Sequence, residues 1–110
     1  MDDVTVHRLE ENWNKSREAP YTLFESGDPQ AKVGSFVIEP GERVPETGTT
    51  SHEGDEITVI LTGEIDLVVG DERMAAGPET MMVTPAGTPH YSVNAGDEPV
   101  RLVYMILGEL

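Results

Sequence analysis

The chain of 110 residues contains no cysteine. That absence excludes disulfides, iron–sulfur clusters, thiolate zinc sites and a cysteine nucleophile, and it fits a reducing interior. Basic residues are scarce too: 7 Lys and Arg stand against 21 Asp and Glu, and the only lysines are Lys15 and Lys32. No basic patch exists to neutralise phosphates, so nucleic acid is not an expected partner. No apolar run approaches the roughly 20 residues that span a bilayer. Met1-Asp2-Asp3-Val4 has neither the basic region nor the apolar run of a secretory signal. A soluble, cytoplasmic protein with no membrane partner is the expectation. Sustained helical spacing is also missing after Trp13.

What is present is a single domain's worth of chain with an extreme acidic surplus. The formal net charge of −14 makes a compact domain repel itself, a cost that salt screens. Lysine-poor acidity on a well-patterned globular sequence suggests a halophilic protein. Disorder is not expected, because regular β patterning fills the region from Ala31 onward. Short runs rich in β-branched residues, bounded by Gly and Pro, predict strands over 33–39, 56–62, 64–69, 73–76, 80–84, 90–94 and 100–107. Strands this short and evenly spaced must close or double up to hide their edges, which favours an all-β, jelly-roll-like barrel over 31–110. Residues 1–30 read as an irregular extension, with a short strand at 6–9 and a polar turn at 10–17. It would pack on the barrel or on a partner subunit, anchored by Trp13 and Phe24. Trp13 is also readable as a dimer contact or a pocket wall.

Chemical density concentrates in Ser51-His52-Glu53-Gly54-Asp55-Glu56 and in Pro85-Ala86-Gly87-Thr88-Pro89-His90-Tyr91-Ser92-Val93-Asn94. Two imidazoles and a carboxylate can take one face of a divalent ion and leave positions open for water or substrate. Glu56 shares side-chain parity with Thr58 and Ile60, which aims it inward. A lone buried carboxylate is costly unless paired, protonated or bound to a metal. His90 follows Thr88-Pro89, where proline fixes the entry of the strand, and Ser92 and Asn94 share its face. Thr50, Thr58, Ile60, Ser92, Asn94 and Tyr104 are the expected pocket lining, with Asn94 a strand-end hydrogen bonder rather than a ligand. Glu46 shares parity with Thr50 and His52 and is either a solvated loop acid or a fourth metal ligand. His7 reads as a surface histidine. Met74, Met81, Met82 and Met105 read as core filling. Ser51 points away from His52 on a regular strand, and no nucleophile elbow occurs, so a serine hydrolase is not expected.

The pattern His52-x3-Glu56-x6-Gly63 resembles the second half of the first cupin motif, and Pro85-x-Gly87-x2-His90-x3-Asn94 resembles most of the second. The resemblance covers roughly residues 31–107. It implies a small double-stranded β-helix, usually found as a homodimer, with His52, Glu56 and His90 as metal ligands. Two departures stand out. Thr50 occupies the place of the motif's first histidine, and Glu79 that of the glycine opening the second motif. Two histidines and one carboxylate still suit non-haem iron, and three protein ligands plus water suit zinc. The expected cofactor is one divalent ion (Fe, Mn, Zn or Ni), and the expected partner is a small oxygen-containing metabolite at the barrel mouth. Dioxygenase, isomerase and lyase chemistry all remain open, as does a metal-poor cupin that only binds a small molecule.

If the acidic surplus is an adaptation to salt, the thermal midpoint should rise steeply between low and molar potassium chloride. A flat profile would remove the halophile reading.

Overall fold

The computed structural model describes residues 4–108. After a 3-10 turn at Leu9–Glu11 the described chain is built from nine strands. They are β1 (Tyr21–Gly27), β2 (Gln30–Ile38), β3 (Arg43–Val44), β4 (Asp55–Thr62), β5 (Ile65–Val69), β6 (Glu72–Ala76), β7 (Thr80–Thr84), β8 (Tyr91–Val93) and β9 (Val100–Leu107). All pairings are antiparallel. They form a five-stranded sheet, β1-β2-β9-β4-β7, and a four-stranded sheet, β3-β8-β5-β6. The two sheets share one core, in which Ile38, Ile60, Val100 and Leu102 meet Ile65 and Ala76. The expected all-β barrel is therefore the observed fold. Among the described residues no helix is long and apolar enough to cross a membrane.

Strand register converts sequence alternation into rungs that run across the larger sheet. On its inner face one rung is Lys32–Ile106–Glu56–Thr84, the next Gly34–Tyr104–Thr58–Met82, and the third Phe36–Leu102–Ile60–Thr80. Because side chains alternate along a strand, residues one position away from these face outward. One outward rung is Phe24–Val33–Met105–Ile57–Val83, an apolar stripe through all five strands. Phe24, Met81 and Val83 on this face are exposed.

Two glycines are required by space. Gly63, at φ 78°, turns the chain between β4 and β5, where a side chain would strike the Pro99 carbonyl oxygen at 2.6 Å. Gly34 leaves the gap that Tyr104 fills: a Cβ there would lie 2.5 Å from the phenol oxygen and 2.6 Å from the Tyr21 carbonyl.

The N-terminal third departs from the sequence reading. The stretch expected to be irregular up to residue 30 contains β1, which forms a hairpin with β2, so no structural seam falls at residue 30. A register shift between Thr22 and Phe24 breaks the alternation that would have betrayed the strand. The strand expected at 6–9 is not found; a 3-10 turn begins at Leu9 instead. Ahead of β1 the chain crosses the barrel surface, where the buried Ser16 accepts a backbone hydrogen bond from Val37 (2.9 Å). Trp13 is half-buried, with the Arg101 guanidinium 6.0 Å from its ring centre. Phe24 is exposed on the outward face of β1. Met82 packs against the core as expected, whereas Met81 is exposed because parity puts it on the outer face, and Met74 is exposed on the edge strand β6 although it pairs with the inward Leu67.

Gly34→Ala is expected to lower stability by about 1–3 kcal/mol through overpacking. Gly27→Ala, with nothing within 4 Å of the added carbon, serves as the control and should change it by less than about 0.5 kcal/mol. Urea midpoints at unchanged slope measure both.

Candidate metal centre

Two loops carry the histidines, and backbone hydrogen bonds stitch those loops together. Thr50 and His90 exchange a pair of backbone bonds, 2.8 and 2.9 Å long. Gly87 N–H donates to the His52 carbonyl at 2.7 Å, and Ala86 N–H donates to the Asp55 carboxylate at 2.9 Å. His52 is thus held at the entrance to β4 and His90 at the entrance to β8. Thr50, standing in the motif's first histidine position, fastens His90 through its backbone while its side chain lines the cavity. Asp55, which sequence reading gave no role, ties the second loop to the first.

Glu56, on the inner face of β4, lies between the two rings. Its Oε1 is 3.2 Å from His52 Nε2 and 3.7 Å from His90 Nε2. One ligand atom from each of the three side chains falls within 4.8 Å of the others. The ring centres are 6.0 Å apart and tilted by 55°. His90 Nδ1 lies 2.8 Å from the Thr88 carbonyl oxygen. A carbonyl can only accept, so Nδ1 carries a proton and Nε2 is the nitrogen turned toward Glu56. Glu56 Oε2 accepts from the Thr58 hydroxyl at 3.3 Å, which leaves Oε1 buried with no hydrogen-bond partner.

These facts test whether a metal fits. A buried carboxylate oxygen that accepts no hydrogen bond is unfavourable by itself, and a cation shared with the two imidazole nitrogens facing it resolves this. Two imidazole nitrogens and one carboxylate oxygen also form a donor set suited to zinc, iron, nickel or manganese. The carbonyl on His90 Nδ1 is the outer contact that typically orients a ligating histidine. The residues fit the group.

The triad opens into a cavity of about 320 Å³ between the sheets. Of the residues the sequence reading named for the pocket, Thr50, Thr58, Ser92 and Tyr104 are placed along it. Three other expected residues lie elsewhere. Ile60 is fully buried in the core, one rung below the lining. Asn94 is fully buried at the end of β8, where its amide nitrogen donates to the carbonyls of Ile38 (2.9 Å) and Glu98 (2.8 Å). Its side-chain oxygen accepts from Gly96 N–H at 3.0 Å, so it ties the end of β8 to β2 and to the loop that follows, outside the cavity lining. Glu46 is exposed and stands outside the group of ligand atoms, because the loop turns at Gly48 (φ 70°) and breaks the assumed alternation.

Tyr104 lines the cavity, but its phenol lies over Gly34 and hydrogen-bonds Thr22. Burial pushes its pKa up, the Thr22 bond opposes this, and the negative charges of Glu56 and Glu25 add to the rise. Tyr104 is therefore a neutral wall residue. The lining also includes Lys32, Phe36, Leu67, Met82 and Thr84, which sequence reading did not single out. Lys32 and Phe36 share parity on β2 and were within reach of that signal. Thr84 depends on register with Glu56, which no single strand reveals.

Comparison with known proteins agrees with this architecture. The sequence model of the cupin domain family matches residues 34–106. An uncharacterised conserved protein with a double-stranded β-helix domain from Klebsiella pneumoniae superposes with TM-score 0.79 at 17% identity, covering 97% of this chain and 92% of that one. The protein TT1209 from Thermus thermophilus gives TM-score 0.74 at 25% identity, covering 94% and 97%. A cupin superfamily protein from Desulfitobacterium hafniense gives 0.70 at 20%, covering 82% and 76%. No curated protein matches the sequence.

Proposed function

The chain belongs to the cupin family, and from that premise we propose that it is a metallo-cupin: one divalent ion held by His52, Glu56 and His90, with a small oxygen-containing molecule bound in the adjoining cavity. The observation that carries this reading is Glu56 Oε1, buried, without a hydrogen bond, and faced by both imidazole nitrogens. A bound ion would supply Lewis acidity and open coordination positions for an oxygen of the ligand.

The chain's own residues prepare that chemistry. Thr88 fixes the tautomer of His90, and Thr58 takes the second carboxylate oxygen of Glu56, so the free oxygen keeps one orientation. Phe36, Leu102, Ile106 and Met82 give the cavity dry walls that strengthen any electrostatic contact inside it. Iron, manganese, zinc and nickel all suit the donor set. Dioxygenation, isomerisation and lyase-type proton abstraction are the reactions we propose for such a centre. Many chemistries share this fold, so the choice among them rests with the ligand.

Thr50 favours a second reading. With a threonine in place of the motif's first histidine, metal affinity would fall, and the same cavity would serve a non-catalytic module that binds a small molecule.

We also propose that the protein is a homodimer through the outer face of the five-stranded sheet. The stripe Phe24–Val33–Met105–Ile57–Val83 carries no charge in a chain of net charge −14, and its two ends are exposed. A second copy covers such a stripe with an identical one across a two-fold axis.

Elemental analysis of untagged protein purified without chelators tests the metal reading. About one equivalent of metal is expected, falling below about a tenth in His90→Ala and in Glu56→Gln. A native protein with under a tenth of an equivalent, unchanged by either substitution, favours the binding module. Sedimentation velocity in molar potassium chloride tests the dimer: native protein should run as two copies, and Val83→Glu as one. A native monomer would contradict it.

A further inference from the structure

We infer that the molecule bound in this cavity carries a carboxylate, and that Lys32 is the residue that recognises it. The inference rests on the metal-centre reading for the other end of the same molecule. Lys32 is half-buried on β2 and lines the cavity, and no other lysine or arginine does so. It stands on the same inner rung as Glu56, with Ile106 between them. Neighbouring strands lie about 4.8 Å apart, so the backbones of Lys32 and Glu56 are separated by roughly 10 Å.

Among the described residues the ammonium group has no ion-pair partner. The ion pairs among the described residues are Arg17–Glu39, His52–Glu56, Arg73–Asp66 and His90–Glu56, and none involves Lys32. Its cross-strand neighbour on β1 is an acid, Glu25, which is exposed and makes no ion pair with it. Among the described residues of this acidic chain, one of its two lysines stands without an ion pair at the wall of this cavity. A surface lysine would keep its charge in bulk water. This one is partly desolvated, and an incoming anion is the group that compensates it.

Electrostatics points the same way. Glu56 is the only carboxylate in the lining. A divalent ion beside a single carboxylate leaves net positive charge, and Lys32 adds to it. Charges beyond about 8 Å are screened at physiological salt. Glu25, across from Lys32, offsets part of that charge. The surplus of a bound divalent ion still makes the cavity a local positive site in a chain of net charge −14, one that selects an anion the rest of the surface repels. Between the two polar ends the wall is Ile106, with Leu102 and Phe36 deeper in. The ligand class is therefore a small carboxylic acid with an apolar middle and an oxygen function at its far end, sized for about 320 Å³.

Calorimetric titration with two matched probes tests this. The probes are 3,4-dihydroxybenzoate, whose paired hydroxyls chelate a metal, and the neutral 3,4-dihydroxybenzamide. Native protein, with and without one equivalent of zinc, should bind the acid at least about tenfold tighter than the amide, the size expected of a charge-assisted contact. Lys32→Met should reduce that ratio to within about twofold while leaving zinc stoichiometry unchanged, and Lys32→Arg should keep most of it. A native ratio near one, the same ratio in Lys32→Met, or no binding of either probe would overturn the assignment. Failure of native protein to take up zinc would overturn the metal reading alone, and the acid-to-amide ratio of the zinc-free protein then decides the role of Lys32 by the same criterion.

Discussion

One oxygen atom sets the terms for the rest of this molecule. Glu56 Oε1 is buried, lacks a hydrogen bond, and faces the Nε2 atoms of His52 and His90 at 3.2 and 3.7 Å. A carboxylate held this way must be compensated, since burying an unpaired charge costs several kcal/mol even after relaxation. Among the described residues Oε1 accepts no hydrogen bond, and the surrounding structure preserves that arrangement. Thr58 donates to the other oxygen, the Thr88 carbonyl accepts from His90 Nδ1, and backbone bonds from Thr50 and Gly87 keep both histidine loops in place. Such polar strain is expected where a fold keeps a place for a cation.

The larger sheet does two jobs because its strands alternate. The inward rungs run from a polar rim, Lys32 to Glu56 to Thr84, through Tyr104 and Thr58, down to Phe36, Leu102 and Ile60. Polarity therefore falls with depth, which suits a molecule whose polar ends lie at the mouth and whose body reaches inward. The outward rung from Phe24 to Val83 is apolar throughout. A one-residue slip in any of these strands would exchange the two sets, so register is strongly specified by the core and the site together.

How much of this was legible in the sequence varied with the range of the forces involved. Parity along one strand identified Glu56 and Thr58 as inward, and local turn chemistry around Thr88-Pro89 marked His90. Those signals are short-range, and the structure agrees with them. Parity failed at Glu46, where Gly48 turns the chain, and it could not say how deep Ile60 lies. Asn94 bonds locally to Gly96 and Glu98 as a strand-end residue would, yet its bond to Ile38 joins segments that only the closed barrel brings together. The strand β1 was missed because a bulge interrupts its alternation. Met81 was assigned to the core on residue type alone, where parity would have placed it outside, and Met74 is exposed because β6 is an edge strand. Pairing across strands, which makes neighbours of Lys32, Ile106 and Glu56, has no signature in a single chain.

The most direct measurement is anomalous diffraction at the metal edge from crystals grown with one equivalent of zinc. A single peak is expected, within about 2.0–2.2 Å of the Nε2 atoms of His52 and His90 and of a Glu56 carboxylate oxygen. No peak at the triad, or a peak held by other residues while Glu56 Oε1 finds a protein hydrogen-bond donor, would contradict the metal centre.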